Sequence, residues 1–273
     1  MSEHITIRFH GELNDFLPMT KRKMSFEHHV KQAGSVKDVI ESLGVPHTEV
    51  DIIIINDHSV TLDYQIQHGD QISVYPLSVS VDISPVTHLQ PAPLHETTFL
   101  LDGHLGRLAA YLRMLGFDTL YQNNYDDSEM ATISVAEQRI LLTCDKKLLM
   151  RKIITQGYYV RERQPKKQLL EIIKRFDLFN RFKPFTRCMK CNSEIKAVDK
   201  EAIKTHLMPR TQNDYNEFWQ CSNCKKVYWK GSHYQRMQEQ IKLLKTIKEH
   251  YPPLVPRRNL RILKCGLFPI IYL

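Results

Sequence analysis

The sequence predicts an α/β protein. A parallel sheet with helices on both faces is preceded by a small α+β domain and followed by a metal-stapled cysteine region. Three observations predict it. From Thr98 to Phe176, short apolar runs alternate with helical stripes, the grammar of repeated β-α units. Before them, strand, strand, helix, strand and strand patterns are packed into about 75 residues. After them come two Cys-x-x-Cys pairs. At 273 residues, 42% hydrophobic and 25% charged, the chain is globular in composition and long enough for two or three small domains.

In the first unit Ile5, Ile7 and Phe9 alternate with Thr6 and Arg8, a half-buried strand. Lys21 to His28 reads as a second strand after a turn near Pro18. Val36, Val39, Ile40 and Leu43 have helical spacing. Ser35 with Asp38 resembles a capping box, and Gly44 is a stop. Asp51 to Asn56 and Gln71 to Pro76 read as further strands. Pro85, Pro91 and Pro93 mark a semi-extended linker over 81–97.

In the second unit FLLD is a buried strand ending at Asp102, and Leu105, Leu108, Ala109, Leu112 and Leu115 form one helical stripe stopped by Gly116. FDTLY, RILLTC and GYYV read as three more strands. Helices are expected over 128–138, over KKLLMRKII and from Pro165 to Phe176, the last with proline in its first turn. The domain boundaries expected are 1–80, a linker at 81–97, 98–182 for the sheet, 183–237 for the cysteine region and a basic tail over 238–273.

Charge is unevenly spread. The chain carries a formal +8, yet residues 1–96 hold 6 Lys/Arg against 13 Asp/Glu, and residues 97–273 hold 32 against 17. An acidic module joined to a polyanion-binding one is expected. No apolar run approaches the roughly 20 residues of a membrane span. MSEHITIRFH lacks the features of a secretory signal. The expectation is a cytoplasmic protein without a membrane partner. Phosphate-cradling glycine loops and a Gly-x-Ser-x-Gly elbow are absent from the sequence.

Asp102 and Asp145 each follow a strand and precede a helix, and Asp126, Asp127 and Glu129 follow another strand. In an open parallel sheet these positions share the carboxyl edge, where ligands bind. Carboxylates with few imidazoles suit Mg²⁺ or Mn²⁺. Such ions activate water and stabilise displacement at phosphorus. Arg107 and Lys146 stand beside these acids as phosphate ligands. The plainer reading is that each aspartate is an N-cap, and pattern alone leaves the two readings even.

Cys188-x-x-Cys191 and Cys221-x-x-Cys224, 29 residues apart, form a stronger signal. Two knuckles of two thiolates complete a tetrahedral, structural Zn²⁺ site, with a hairpin or excursion in the spacer. Lys190, Lys225 and Lys230 surround the knuckles, interleaved with Trp219, Tyr228 and Trp229, a composition suited to nucleic acid. Packing of a small metal-stapled core accounts for the tryptophans equally well.

FLLDGHLGRLAAYLRMLGFDTLY, DDSE followed by RILLTCDKKLL, RCMKCN and FWQCSNCKKVYWKGSHYQRM together resemble the Mut-7 C-terminal RNase family. RFHGELNDFLP, SVKDVIESLGVPHTEVDIIIIN and GDQISVYP resemble the ubiquitin-like β-grasp domain often fused before it. The resemblance implies a PIN-like parallel sheet with flanking helices, a β-grasp domain and a zinc ribbon. It implies cleavage of RNA phosphodiesters with Mg²⁺ or Mn²⁺ held by Asp102, Asp127 and Asp145, with Asp126 or Glu129 as substitutes for Asp127. Zinc falls to Cys188, Cys191, Cys221 and Cys224. RNA, single-stranded, is the implied partner, with a protein partner for the β-grasp domain. Where the family usually shows Leu-Thr-Arg-Asp, this chain has Cys144 before Asp145, which removes a phosphate contact. A non-catalytic RNA-binding module and an adaptor acting through the β-grasp domain are the alternatives.

Overall fold

The computed structural model describes residues 3–30, 34–77, 86–90 and 97–250. Most of the proline linker, and the chain beyond His250 with Cys265 and GLFPIIYL, lie outside the described residues.

The first unit contains β1 (Glu3–Phe9), β2 (Phe26–Val30), α1 (Val36–Ser42), β3 (Val50–Ile55), β4 (His58–Val60) and β5 (Gln71–Pro76). The strand order is β2-β1-β5-β3-β4, with β1 and β5 parallel and the other neighbours antiparallel. Ser35 and Asp38 close the expected capping box on α1. Its Val36, Val39 and Ile40 pack on Ile5, Ile7 and Phe9 in one core. The second strand begins at Phe26, later than expected, because Met19–Lys21 forms a 3-10 turn and Lys23 takes φ 58°. The short β4 had no signal in hydrophobic period. Asn56 and Asp57, at φ 49° and 67°, make the two-residue turn that folds it back on β3.

Part of the linker is pinned. Leu89 N donates to the Asp51 carbonyl at 2.7 Å, and His88 Nδ1 lies 2.7 Å from the buried Asp51 carboxylate.

The second unit alternates β6 (Phe99–Leu101), α2 (Gly106–Met114), β7 (Thr119–Tyr121), α3 (Asp127–Ala136), β8 (Ile140–Thr143), α4 (Lys146–Leu149), β9 (Gly157–Tyr159) and α5 (Pro165–Arg175). All neighbours are parallel, in the order β7-β6-β8-β9. Side-chain alternation divides the sheet. Phe99, Leu101 and Leu142 meet α2 and α5, whereas Leu100 and Leu141 meet α3 and α4. The helix expected over KKLLMRKII is only Lys146–Leu149. The chain leaves the helix at Met150, and Ile154 turns into the core under the sheet.

The third unit is an antiparallel sheet of β10 (Ile195–Val198), β11 (Phe218–Cys221) and β12 (Val227–Trp229). The long spacer is an excursion holding α6 (Lys200–Ile203) and α7 (Pro209–Asp214), with Ile203 and Leu207 packed on Phe218. The final helix α8 (Ser232–Glu249) starts six residues before the expected Gln238. It buries Ile241 and Leu244 in the core of the second unit, so this part of the expected tail is a packed element. Among the described residues no helix is long and apolar enough to cross a membrane.

The flanking units meet both edge strands of the parallel sheet. Tyr159 N, on β9, donates to Glu49 Oε1 at 2.6 Å. Thr119 N, on β7, donates to Asn192 Oδ1 at 3.0 Å.

Candidate functional site

The order β7-β6-β8-β9 makes the chain change direction across the sheet between β6 and β8. Crevices form at such a switch point, at the carboxyl ends of the strands. Asp102 sits there, directly after β6 and 5% exposed. Its Oδ1 accepts from His104 N at 2.8 Å, capping the turn Gly103–Leu105. Its Oδ2 accepts from the Thr143 hydroxyl and, at 3.0 Å, from Cys144 N. One carboxylate thus ties the ends of β6 and β8 together. Tyr121 donates its hydroxyl to the Gly103 carbonyl at 3.1 Å. Gly106 permits this, since a Cβ there would lie 2.6 Å from the Tyr121 oxygen.

The neighbouring acids are also caps. Asp126 Oδ1 accepts from Ser128 N and Glu129 N at 2.8 and 2.7 Å and starts α3. Asp145 Oδ1 accepts from Lys147 N at 2.8 Å and starts α4, and Asp145 N donates to Thr143 Oγ1. Asp127 and Glu129 are exposed in the first turn of α3. The capping role and the placement on one edge therefore hold together. The acids line that edge without closing into a cage. Among the described residues, the four cysteines are the one group of three or more Cys, His, Asp or Glu whose ligand atoms lie within 4.8 Å of one another.

Of the basic residues expected at this edge, Arg107 is exposed at the start of α2. Lys146 is turned aside, with Nζ 4.9 Å from the Phe16 ring and 5.9 Å from that of Tyr159. Cys144 places Sγ 3.5 Å from the Val160 carbonyl. Burial of the sulfur, with Asp102 and Glu171 nearby, pushes its thiol up to about 11, so the side chain is neutral at this edge.

The knuckles converge. Cys188 Sγ lies 3.5 Å from Cys224 Sγ, and Cys191 Sγ lies 3.3 Å from Cys221 Sγ. A tetrahedron of Zn–S bonds of about 2.3 Å has edges just under 4 Å, so the donor set fits zinc and is far too open for disulfides. Tyr228 Oη approaches Cys188 Sγ at 3.0 Å as an outer-shell donor. Burial works against ionising Cys191, but hydrogen bonds from the Ser193 amide and from the Cys221, Ser193 and Cys224 side chains together outweigh it and bring the thiol down to about 6. Burial pushes Cys221 up to about 12. A divalent cation displaces the proton of a thiol as reluctant as that of Cys221.

Lys190, Lys225 and Lys230 are exposed on this ribbon. Lys225 Nζ donates to the Ser222 carbonyl at 2.8 Å, and Lys230 Nζ to Glu217 Oε2 at 2.5 Å. The ribbon is anchored at the amino edge of the parallel sheet, away from the acids. Buried Arg113 donates to the carbonyls of Thr119, Met189 and Lys190. Asn192 Nδ2 donates to Asp118, which also accepts from Arg139 and pairs with Arg187. The lysines and the acids are therefore not brought into one cluster.

Sequence reasoning missed these joints. Arg113 lies outside the apolar stripe of α2, and Asn192 directly follows the first cysteine pair, so hydrophobic period marks neither. It also missed the docking of the first unit, where Glu49, 1% exposed, pairs with Arg161. His47, Thr48, Glu49 and Asp51, all buried polar residues, mark that seam in the structure.

The fold and the two centres describe an α/β domain with an acidic carboxyl edge, a cysteine ribbon and an appended α+β domain. The Mut7-C RNAse domain family model matches residues 97–241, and the Mut7-C ubiquitin model matches residues 2–82. The chain belongs to the Mut7-C RNAse domain family and carries that ubiquitin-type domain before it. No curated protein and no solved structure matches it.

Proposed function

We propose that this protein is a metal-dependent endoribonuclease acting on single-stranded RNA. The carrying observation is Asp102, buried at the switch point between β6 and β8, with the Asp126 and Asp145 caps, and Asp127 beside Asp126, on the same edge. A carboxylate oxygen holds two lone pairs, so Asp102 Oδ1 keeps one for an ion after accepting from His104. Mg²⁺ keeps several waters and takes only one or two protein carboxylates with substrate phosphates, so a line of acids serves it without a closed cage. Asp102, Asp145 and Asp127 would hold the ion, one or two of them directly and the remainder through its waters, with Asp126 or Glu129 in the place of Asp127, and the ion would activate water against phosphorus. Arg107 would hold phosphate oxygens. A structural zinc ion would sit on the four cysteines, and the ribbon would bind the strand.

Cleavage of labelled single-stranded RNA, with a DNA control, tests this in Mn²⁺ and without divalent ions. Asp145→Asn keeps its cap, since Asn caps as well as Asp, while losing the charge. Asp127 accepts no cap bond, so Asp127→Asn leaves α3 intact. Metal-dependent cleavage that falls to background in folded Asp145→Asn supports the reading. Equal cleavage by variant and wild type, or binding without cleavage, removes it.

A further inference from the structure

Between the ribbon, the end of α2 and the start of α8 lies a groove of about 280 Å³. One face of the ribbon sheet supplies Ile195, Trp219 and Tyr228, with Trp219 and Tyr228 directly paired across β11 and β12. Phe185 and Tyr234 face them, their ring centroids 4.7 Å apart. Trp229 closes the rim. Its indole rests over Gly231, where a Cβ would come within 2.9 Å of Nε1, and lies 6.4 Å from the Tyr215 ring. Trp229 pairs with Phe218 across β11 and β12, on the opposite face of the sheet from Trp219, yet stays 38% exposed, so part of its ring remains free at the rim.

Aromatic faces alone would admit any apolar ligand. Their electrostatic setting is more selective. Residues 183–250 carry 14 Lys/Arg against 7 Asp/Glu. Lys226 stands 5.6 Å above the Tyr228 ring, and Lys230, which also pairs with Glu217, stands 5.2 Å above that of Trp219. Aromatic platforms in a positive field are what single-stranded nucleic acid requires, the rings stacking the bases and the cations following the phosphates.

We propose that this groove is a nucleobase-stacking subsite for single-stranded RNA, separate from the acidic edge. The inference rests on RNA being the substrate proposed above. Helix α2 sets the separation. It begins at Gly106 beside the acids and ends at Met114, which lines the groove. At about 1.5 Å per residue, the two places lie roughly 12 Å apart along its axis. A strand occupying both must therefore be several nucleotides long, and a shorter one reaches the acids without the groove.

The chain's two tryptophans both line the groove, so intrinsic fluorescence reads it directly. The full-length protein is titrated, without added divalent ion, with a single-stranded RNA oligomer and with an abasic oligomer of the same length. The expected result is quenching by the base-bearing oligomer only. Its affinity should fall about tenfold in Trp229→Ala and stay near normal in Trp229→Phe. Steady-state cleavage then separates the roles. Trp229→Ala raises KM for the long RNA with kcat unchanged, and leaves a dinucleotide substrate unaffected. Quenching that is equal for both oligomers, or absent, overturns the subsite. Because quenching is read without turnover, a protein that binds bases but cleaves nothing would refute the nuclease reading while leaving the groove assigned.

Discussion

Arg161 Nη2 lies 2.8 Å from Glu49 Oε2, joining residues 112 apart in sequence across the seam between the first two units. Glu49 is 1% exposed and its other oxygen accepts from Tyr159 N. Arg161 also reaches Asp15, and its guanidinium lies over Phe16, Tyr158 and Tyr159. The acidic first unit is thus docked on the second by its own buried charge.

Removing Glu49 leaves the Tyr159 amide without its acceptor and Arg161 to the exposed Asp15. Glu49→Ala should cost about 3–5 kcal/mol. Because the loss falls on the seam, calorimetry should show one unfolding transition replaced by two. A single transition at the wild-type temperature would contradict the docking.

The zinc assignment predicts about one equivalent of zinc per chain by elemental analysis. Chelation should unfold the ribbon, and Cys221→Ser should mimic it. The carbonyls of Met189 and Lys190, which Arg113 binds, belong to the first knuckle, so amide exchange at Thr119 should quicken with zinc loss. Full thermal stability without metal would argue against the site.

Asp118 predicts an acid limb. Burial alone would raise its carboxyl, but hydrogen bonds from Asn192 and Arg139 and the charges of Arg139 and Arg187 hold it below the usual range. The unfolded chain then takes up the proton first as pH falls. The stabilisation is complete above the unfolded value of about 4 and is lost as pH drops through the folded one. Asp118→Asn should be about 1–3 kcal/mol less stable at pH 7, with the gap closing toward strongly acid pH. A gap independent of pH would exclude this origin.

Gly116 ends α2 at φ 94°, and a Cβ there would stand 2.2 Å from the Lys183 carbonyl. Gly116→Ala should therefore cost at least about 2 kcal/mol by denaturant titration. A neutral result would mean the chain leading into the ribbon is free to shift.

Much of this architecture could be read in the residues because local and global signals agree. Leu105 to Leu115 carries a helical stripe, Ser35 and Asp38 close a box, and the cysteine spacing fits tetrahedral geometry. The acids were legible as edge positions, because the strand-to-helix junction fixes where Asp102 and Asp145 stand. Their separation was not, because it depends on how far α3 and α4 stand from the switch point. Nor could spacing show that Lys146 turns onto Phe16, 130 residues earlier, or that Arg113 binds the knuckle. Such contacts come from docking whole units, and hydrophobic period carries no record of them. Helix α4 is shorter than the KKLLMRKII pattern implies because the chain turns at Met150 to bring Ile154 into the core beside Leu141 and Leu148, a tertiary demand that the pattern does not carry.

The pairing of Tyr159 with Glu49, and of Thr119 with Asn192, has a further consequence for solubility. A four-stranded parallel sheet offers two open flanks to any passing strand, and natural proteins guard such flanks against aggregation. Here each neighbour unit spends one side-chain oxygen on a flank. The sheet is fit to be dilute in water only as the middle member of three, and cutting the chain on either side should leave a piece that gathers into its own kind.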